Sequence, residues 1–235
     1  MKDSSIGQLA LSNLEEHFKV KENFPDTGPD LPPKTDSQDI IFPSSNLFGI
    51  PDLLLEYQCN ELILPCRPCG KTALKKQEGC LHFYVDDYRF DPSFWVKPDK
   101  VLTSKVTAII ECNYTLSLDT PLSWVIWCIY RKRWLARYWQ KQGYRIIVDL
   151  NVPVEFAPIS LLGVPIGWKS YATRGYSTRV ESLFKEYELA TKQAQSEDIF
   201  FLVYGGGKTV WSICKERGWR WLASEESRAK GEIYE

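Results

Sequence analysis

Three glycines, a lysine and a threonine, Gly205-Gly206-Gly207-Lys208-Thr209, follow the strand-forming run Asp198–Tyr204, and a helical pattern comes after them. Such a turn can cradle phosphate, because backbone N–H groups at a helix start meet an anion with no side chain in the way. A nucleotide-binding P-loop needs a further glycine five positions ahead of the one that precedes its lysine. Counting back from Gly207 gives Leu202, inside the strand, so this is not a P-loop. Two readings remain. Gly205, Gly206, Gly207 and Lys208 hold a phosphate, as late loops of parallel barrels do, or the glycines only permit a tight turn at positive φ. Three glycines beside a lysine favour the first.

The stretch HFYVDDYRF, residues 82–90, supplies Asp86, Asp87 and Arg89. Paired carboxylates at a strand end can act as acid and base, or hold a divalent metal that bridges a phosphate. An ion pair of either aspartate with Arg89, or with arginines elsewhere, is an equal alternative. Histidine chemistry is scarce. Only His17 and His82 are present, which excludes an imidazole-rich metal centre.

The third candidate is YRKRWLARYWQKQG, residues 130–143. Trp134, Leu135, Tyr138 and Trp139 follow helical spacing, while Arg131, Lys132, Arg133, Arg137 and Lys141 largely take the other faces. Cations interleaved with aromatics can track a nucleic-acid backbone and stack bases. The plainer reading, and the better supported one, is an outer barrel helix with an aromatic core stripe and a solvated basic face. Arg131 is the residue that could still reach the barrel rim.

Cysteines form the fourth group. Cys66-Arg67-Pro68-Cys69-Gly70 has the form of a zinc knuckle, and Cys59 and Cys80 would complete a tetrahedral site. A single C-x-x-C is a weak signal, and free thiols are the main alternative.

These groups need elements to position them. Strand patterns occur at LHFYV, VTAIIEC, YRIIVDL, WKSYAT, DIFFLVY and WRWLAS, with helical segments between several of them. The clearest helix spans 121–142, with Thr120 as N-cap, Pro121 in the first turn and Gly143 beyond the end. Two more run from Thr178 to Gln195 and from Lys208 to Arg217. Strands that alternate with crossovers, each a near-continuous apolar run, predict a parallel sheet covered on both faces. Polar residues follow each strand: Asn113 and Thr115, Asp149 and Asn151, Thr173 and Arg174, Gly205 to Lys208. In parallel α/β folds these ends share one rim. A small or incomplete TIM-like (β/α) barrel is therefore expected, with an open doubly wound sheet as the alternative.

The balance of 29 basic and 30 acidic residues argues against a polybasic nucleic-acid binder. Residues 1–46 read as a flexible arm, with a short amphipathic helix at Ser5–Phe18 and a Pro-rich linker, and 47–235 as one α/β domain with the knuckle at 59–82. No apolar stretch approaches the roughly 20 residues of a membrane span. The acidic, polar N-terminus lacks a signal-peptide pattern, so a cytoplasmic protein with reduced thiols is expected.

Taken in order, HFYVDDYRF, LDTPLSWVIWCIYRKRWLARYWQKQGYRIIV, GVPIGWKSYATRG and FLVYGG resemble an uncharacterised domain family of phages, prophages and plasmids, domain of unknown function 4417. The resemblance spans about Gly49 to Trp221. It implies a mobile-element protein in a bacterial host and draws attention to Asp87, Arg89, Asp119, Arg131, Arg133, Trp134 and Gln140, without implying an activity. One departure is visible: the family's Pro-Asp-Phe-Ser turn is Cys112-Asn113-Tyr114-Thr115 here. Losing that carboxylate weakens a catalytic role at this position.

The leading expectation is a ligand bearing phosphate, a nucleotide or nucleic acid, bound at the strand-end rim. Asp86, Asp87 and Arg89 would be its catalytic candidates. Arg131, Arg133, Trp134, Arg137 and Gln140 would neutralise charge or contact nucleic acid. The alternatives are a non-enzymatic DNA-binding accessory protein, and an interaction protein that docks a partner through its arm.

Overall fold

The computed structural model describes residues 40–70, 78–91 and 93–231, and only the backbone of Thr103. The expected helix at Ser5–Phe18, His17 and most of the Pro-rich linker lie outside the described residues. Residues Phe42–Glu235 form one compact unit.

Seven parallel strands make up its sheet: β1 (Cys66–Pro68), β2 (Glu78–His82), β3 (Lys105–Ile110), β4 (Arg145–Asp149), β5 (Ser170–Arg174), β6 (Phe200–Tyr204) and β7 (Arg220–Leu222). They lie side by side in the order of the sequence, and every pairing is parallel. A doubly wound sheet reverses its strand order at a switch point, and this one never does. The open-sheet alternative is thereby overturned. The strands curl into a half-barrel, an α/β fold of the partial TIM-like kind. The strand not foreseen is β1, which is short and carries Pro68 at the sheet edge, where a missing N–H is tolerated.

The α-helices among the described residues are α1 (Ser93–Val96), α2 (Leu122–Lys141), α3 (Ala157–Ser160), α4 (Val180–Ala194), α5 (Gly207–Arg217) and α6 (Glu225–Ala229). Of these, α2 and α4 pack on the outer face, and α6 starts beside Tyr204 of the concave side. Aromatic contacts join α2 and α4 to the sheet. Trp139 of α2 stacks on Phe83 at 5.7 Å, and Tyr187 of α4 meets Phe201 of β6 edge-on at 5.3 Å. On the opposite, concave face Cys66, Cys80, Ala108, Ile110, Ile147, Ala172, Leu202 and Leu222 form the core, which Cys59, Leu62 and Ile63 close. No described helix is long and apolar enough to cross a membrane.

Helix α2 begins one residue later than the sequence suggests, because Pro121 is extended (ψ 136°) and takes the N-cap position. The Thr120 hydroxyl instead accepts the N–H of Ser117. The larger difference concerns its basic residues. A solvated basic face was expected, yet Arg131 to Ala136 are buried without a break. The segment before β1 covers the helix on one side: Phe42 packs on Trp134 at 5.6 Å, and the Gln140 amide bridges the N–H and C=O of Leu54. Long side chains on such a helix reach the strand ends and find partners there.

Candidate functional site

The buried cations of α2 are spent inside the protein. Arg133 is fully buried and pairs with Glu111, which follows β3, while its other N–H groups donate to the carbonyls of Ser160 and Leu162. The remaining Glu111 oxygen accepts the Asp149 N–H, which ties β3 to β4 at their carboxyl ends. Burial pushes the Glu111 carboxyl above its usual range even though Arg133 and Lys132 pull it down. Lys132 donates to the carbonyl and the carboxylate of Asp149, also buried, and the Tyr84 hydroxyl donates to the same carboxylate at 3.1 Å. Arg131 holds Asp91 with both oxygens at 2.8 Å and lies over the Tyr114 ring. Arg137 lies over Phe42, and Trp134 and Gln140 are buried. Helix α2 is thus an internal clamp on the rim, with Arg131, Lys132, Arg133 and Trp134 turned to structure, while Trp124, Trp127 and Lys141 are exposed.

Asp86, Asp87 and Arg89 sit in a short 3-10 turn after β2. The Asp87 carboxylate accepts the N–H and hydroxyl of Thr115, which pins the loop after β3, while Asp86 is exposed. Arg89 reaches toward Gly70 and Cys69. Neither aspartate lines the cavities described below, though Asp87 holds Thr115 at the edge of the larger one. Cys59, Cys66 and Cys80 share the concave core, whereas Cys69 faces Arg89 and Lys100 on another side. Among the described residues no group of three Cys, His, Asp or Glu side chains is placed to hold a metal ion. Burial raises the thiol of Cys69 to about 12, as expected of a neutral packed cysteine.

Gly205, Gly206 and Gly207 all have positive φ, at 78°, 80° and 64°. Gly205 is fixed by its N–H to Leu222 and by the Trp221 indole, which donates to its carbonyl. A Cβ on Gly206 would stand 2.3 Å from Cγ2 of Val210, while one on Gly207 would meet nothing within 4 Å. Left-handed backbone costs an alanine roughly 1–2 kcal/mol and overpacking a further 1–3. Gly206→Ala is therefore expected to destabilise the fold by roughly 2–5 kcal/mol in urea unfolding, and Gly207→Ala by only roughly 1–2. Packing alone therefore requires glycine at 206. Lys208 is exposed and lines neither cavity.

Two cavities open at the strand ends. The larger, of about 640 Å³, lies between the loops after β3 and β4 and the start of α4. The smaller, of about 320 Å³, is bounded by Gly205, Gly206, Ser224 and the residues after β5. Both share Arg174 and Tyr176. Arg174 and Arg179 each lie over the Tyr176 ring, at 5.4 and 4.3 Å, and neither has a carboxylate partner among the described residues. Asn113, Thr115, Ser117, Asp119, Asn151, Glu155, Ser182, Lys185 and Glu186 complete the polar lining of the larger one. One further group stands nearby. The buried His82 imidazole is depressed to about 3 by burial and by Arg228 and Arg174, so it is neutral. It packs on Tyr204 at 4.6 Å.

Glu186 is the residue that sequence patterning passed over. It is buried, and its Oε2 has no hydrogen-bond partner. Burial first, and then the field of Asp149, raise its carboxyl to about 8, against the pull of Thr173 and Arg179. A signal existed. Leu183, Glu186, Ala190 and Ala194 are the buried stripe of α4, so a carboxyl stands at a core position.

The chain is similar to known phage proteins. The "Gene 1 protein" of Mycobacterium phage D29 is 35% identical over 111 residues, 46% of this chain and 41% of the relative. The "Gene 1 protein" of Mycobacterium phage L5 is 33% identical over 111 residues, 46% of this chain and 48% of the relative. The chain thus spans less than half the length of these phage relatives. No solved structure matches it. The family model described as "Domain of unknown function (DUF4417)" matches residues 42–185, which include α2, the loops around the larger cavity and Glu186's neighbour Lys185. That is more than half of the chain, which therefore belongs to the DUF4417 family.

Proposed function

We propose that this phage-associated protein binds a phosphate-bearing ligand, a nucleotide or a nucleic-acid end, at the rim formed by the carboxyl ends of β3 to β6. One observation carries the reading: Arg174 and Arg179 are both held on the Tyr176 ring at the wall of a cavity of about 640 Å³, without carboxylate partners. Unpaired guanidinium groups fixed in a concave site are suited to phosphate, which they grip with two parallel N–H groups. The volume falls within the roughly 300–1,000 Å³ typical of small-molecule sites. The position at strand ends is where parallel α/β folds build such sites.

The arginine pair, rather than the glycine turn, is the primary contact. Both cavities carry carboxylates, but the larger sets Arg174, Arg179 and Lys185 against Asp119, Glu155 and Glu186, while the smaller sets Arg174 alone against Glu225 and Glu226. Lys208 lies outside both. A nucleic-acid interface along α2 has little support, since Arg131, Lys132 and Arg133 are buried and engaged.

Titration calorimetry with mononucleotides and with 5′-phosphorylated oligonucleotides tests the reading. Arg174→Ala and Arg179→Ala should each weaken binding about tenfold or more, as loss of a charge-assisted contact does. Lys208→Ala should leave it unchanged. Wild-type protein that binds none of these ligands, or a double arginine variant that binds them as well as wild type, would rule the site out.

A further inference from the structure

Phosphate fills only a small part of the larger cavity, and the remaining walls have a chemistry of their own. On one side Val152, Pro153 and Val154 present apolar surface. On another, the side-chain amides of Asn113 and Asn151 pair at 2.8 Å. That bond uses one donor and one acceptor. Whichever way the two amides are turned together, one N–H₂ and one carbonyl oxygen stay free. Glu186 lines the same cavity, and its Oε2 is buried with no partner at hydrogen-bond distance, while the Thr173 hydroxyl stands near enough to draw its carboxyl downward. A buried polar atom without a partner costs free energy, and one aimed at a cavity points to a ligand that satisfies it. Apolar walls with a few convergent hydrogen-bonding groups suit a flat, polar-edged ring.

Resting on the phosphate reading above, we infer that the larger cavity holds the base of a nucleoside phosphate, with Glu186 contacting its hydrogen-bonding edge and the Asn113–Asn151 pair adding further contacts. The phosphate then lies toward Arg174 and Arg179. Glu186 faces Asp149 from the end of β4, Thr173 from β5 and Arg179 from the start of α4. Lys185 and Arg174 line the same cavity. In this setting the carboxyl keeps its proton at neutral pH. A carboxylic acid offers an O–H donor and a C=O acceptor side by side. That pair complements any base edge on which a donor and an acceptor are adjacent. Ionisation removes the donor, so recognition of the base weakens as the pH passes about 8.

The test measures binding of the four ribonucleoside 5′-monophosphates, ribose 5-phosphate and a 5′-phosphorylated oligonucleotide to the full chain. At pH 7 the preferred nucleotide should bind about tenfold or more tightly than ribose 5-phosphate, because buried polar groups go unpaired without the base. Glu186→Ala should erase that preference, read as the ratio of nucleotide to ribose 5-phosphate affinity in the same variant. Glu186→Gln, which keeps a donor beside an acceptor, should retain it. Wild type should lose most of the preference between pH 7 and 9, and the glutamine variant should not.

Failure of this inference and failure of the phosphate reading look different. Equal binding of ribose 5-phosphate and every nucleotide, abolished by Arg174→Ala, overturns the base assignment and leaves the phosphate site standing. Nucleotide binding that Arg174→Ala and Arg179→Ala do not touch overturns the phosphate site. A preference that Glu186→Ala leaves intact removes Glu186 from the base contact. Tighter binding of the oligonucleotide than of any mononucleotide identifies a nucleic-acid end as the source of the nucleoside phosphate, and the reverse order identifies a free nucleotide.

Discussion

Arg133→Met is expected to destabilise the protein by roughly 3–5 kcal/mol, the cost of stranding the partner of a buried ion pair. Both side chains of the Arg133–Glu111 pair are fully buried. Removing the guanidinium leaves Glu111 without its counter-charge and also frees the carbonyls of Ser160 and Leu162. Glu111 will then take up a proton on folding, since burial already pushes its carboxyl upward with the arginine present. The deficit of the variant should therefore shrink as pH falls toward 4. Adding Glu111→Gln should recover a large part of the loss at neutral pH, because glutamine still accepts the Asp149 N–H and carries no charge. Chemical denaturation of the two single variants and the double variant measures this directly. Additive losses would show that the two groups are not coupled.

Glu186→Gln is expected to act in the opposite direction and stabilise the fold at alkaline pH. The carboxyl moves from an ordinary 4.5 to about 8 on folding. Below 4.5 the folded and unfolded chains both hold the proton, and the group contributes no pH dependence. Between 4.5 and 8 only the folded chain holds it, so stability falls as the pH rises, and above about 8 the loss is complete. At 1.36 kcal/mol per pH unit the full span sets a ceiling of about 5 kcal/mol, and relaxation of the cavity reduces it to roughly 1–3. The variant should therefore match wild type near pH 4.5 and exceed it at pH 8.5, read as the melting temperature across that range. Equal pH profiles for the two proteins would mean that Glu186 titrates normally. Such a gain is typical of binding sites, where a residue retained for a ligand is a cost to the empty fold.

The half-barrel was legible because its signals are local. Apolar runs such as DIFFLVY and YRIIVDL, separated by helical segments, identify parallel strands, and the polar residues after each strand mark the rim. Asn113, Thr115, Asn151 and Arg174 stand where that reasoning puts them. Strand β1 escaped it, since three residues with a proline carry no periodicity. The basic helix misled for a physical reason. Arg and Lys usually mark a solvated face, and the carboxylates that bury Arg133, Lys132 and Arg131 are remote in sequence, at Glu111, Asp149 and Asp91. Neither partner alone shows that the pair forms. Glu186 is the converse case. Its position on the buried stripe of α4 was visible, but its empty hydrogen-bonding capacity is a property of the assembled cavity.

Together these features describe a rim built in two layers. Beneath, α2 fastens the ends of β3 and β4 with buried ion pairs that leave little freedom to the loops above them. Above, Arg174 and Arg179 on Tyr176, the asparagine pair and the protonated Glu186 surround an open cavity. Rigid support beneath a polar cavity is what precise ligand placement requires.

The most direct measurement is a crystal structure of the protein grown with its preferred nucleoside 5′-monophosphate. The account predicts phosphate oxygens within hydrogen-bond distance of the Arg174 and Arg179 guanidinium groups, and the base in the larger cavity against Glu186. Phosphate seated on Lys208, on Asp86 and Asp87 through a metal, or along α2, with the Arg174 cavity empty, would contradict it.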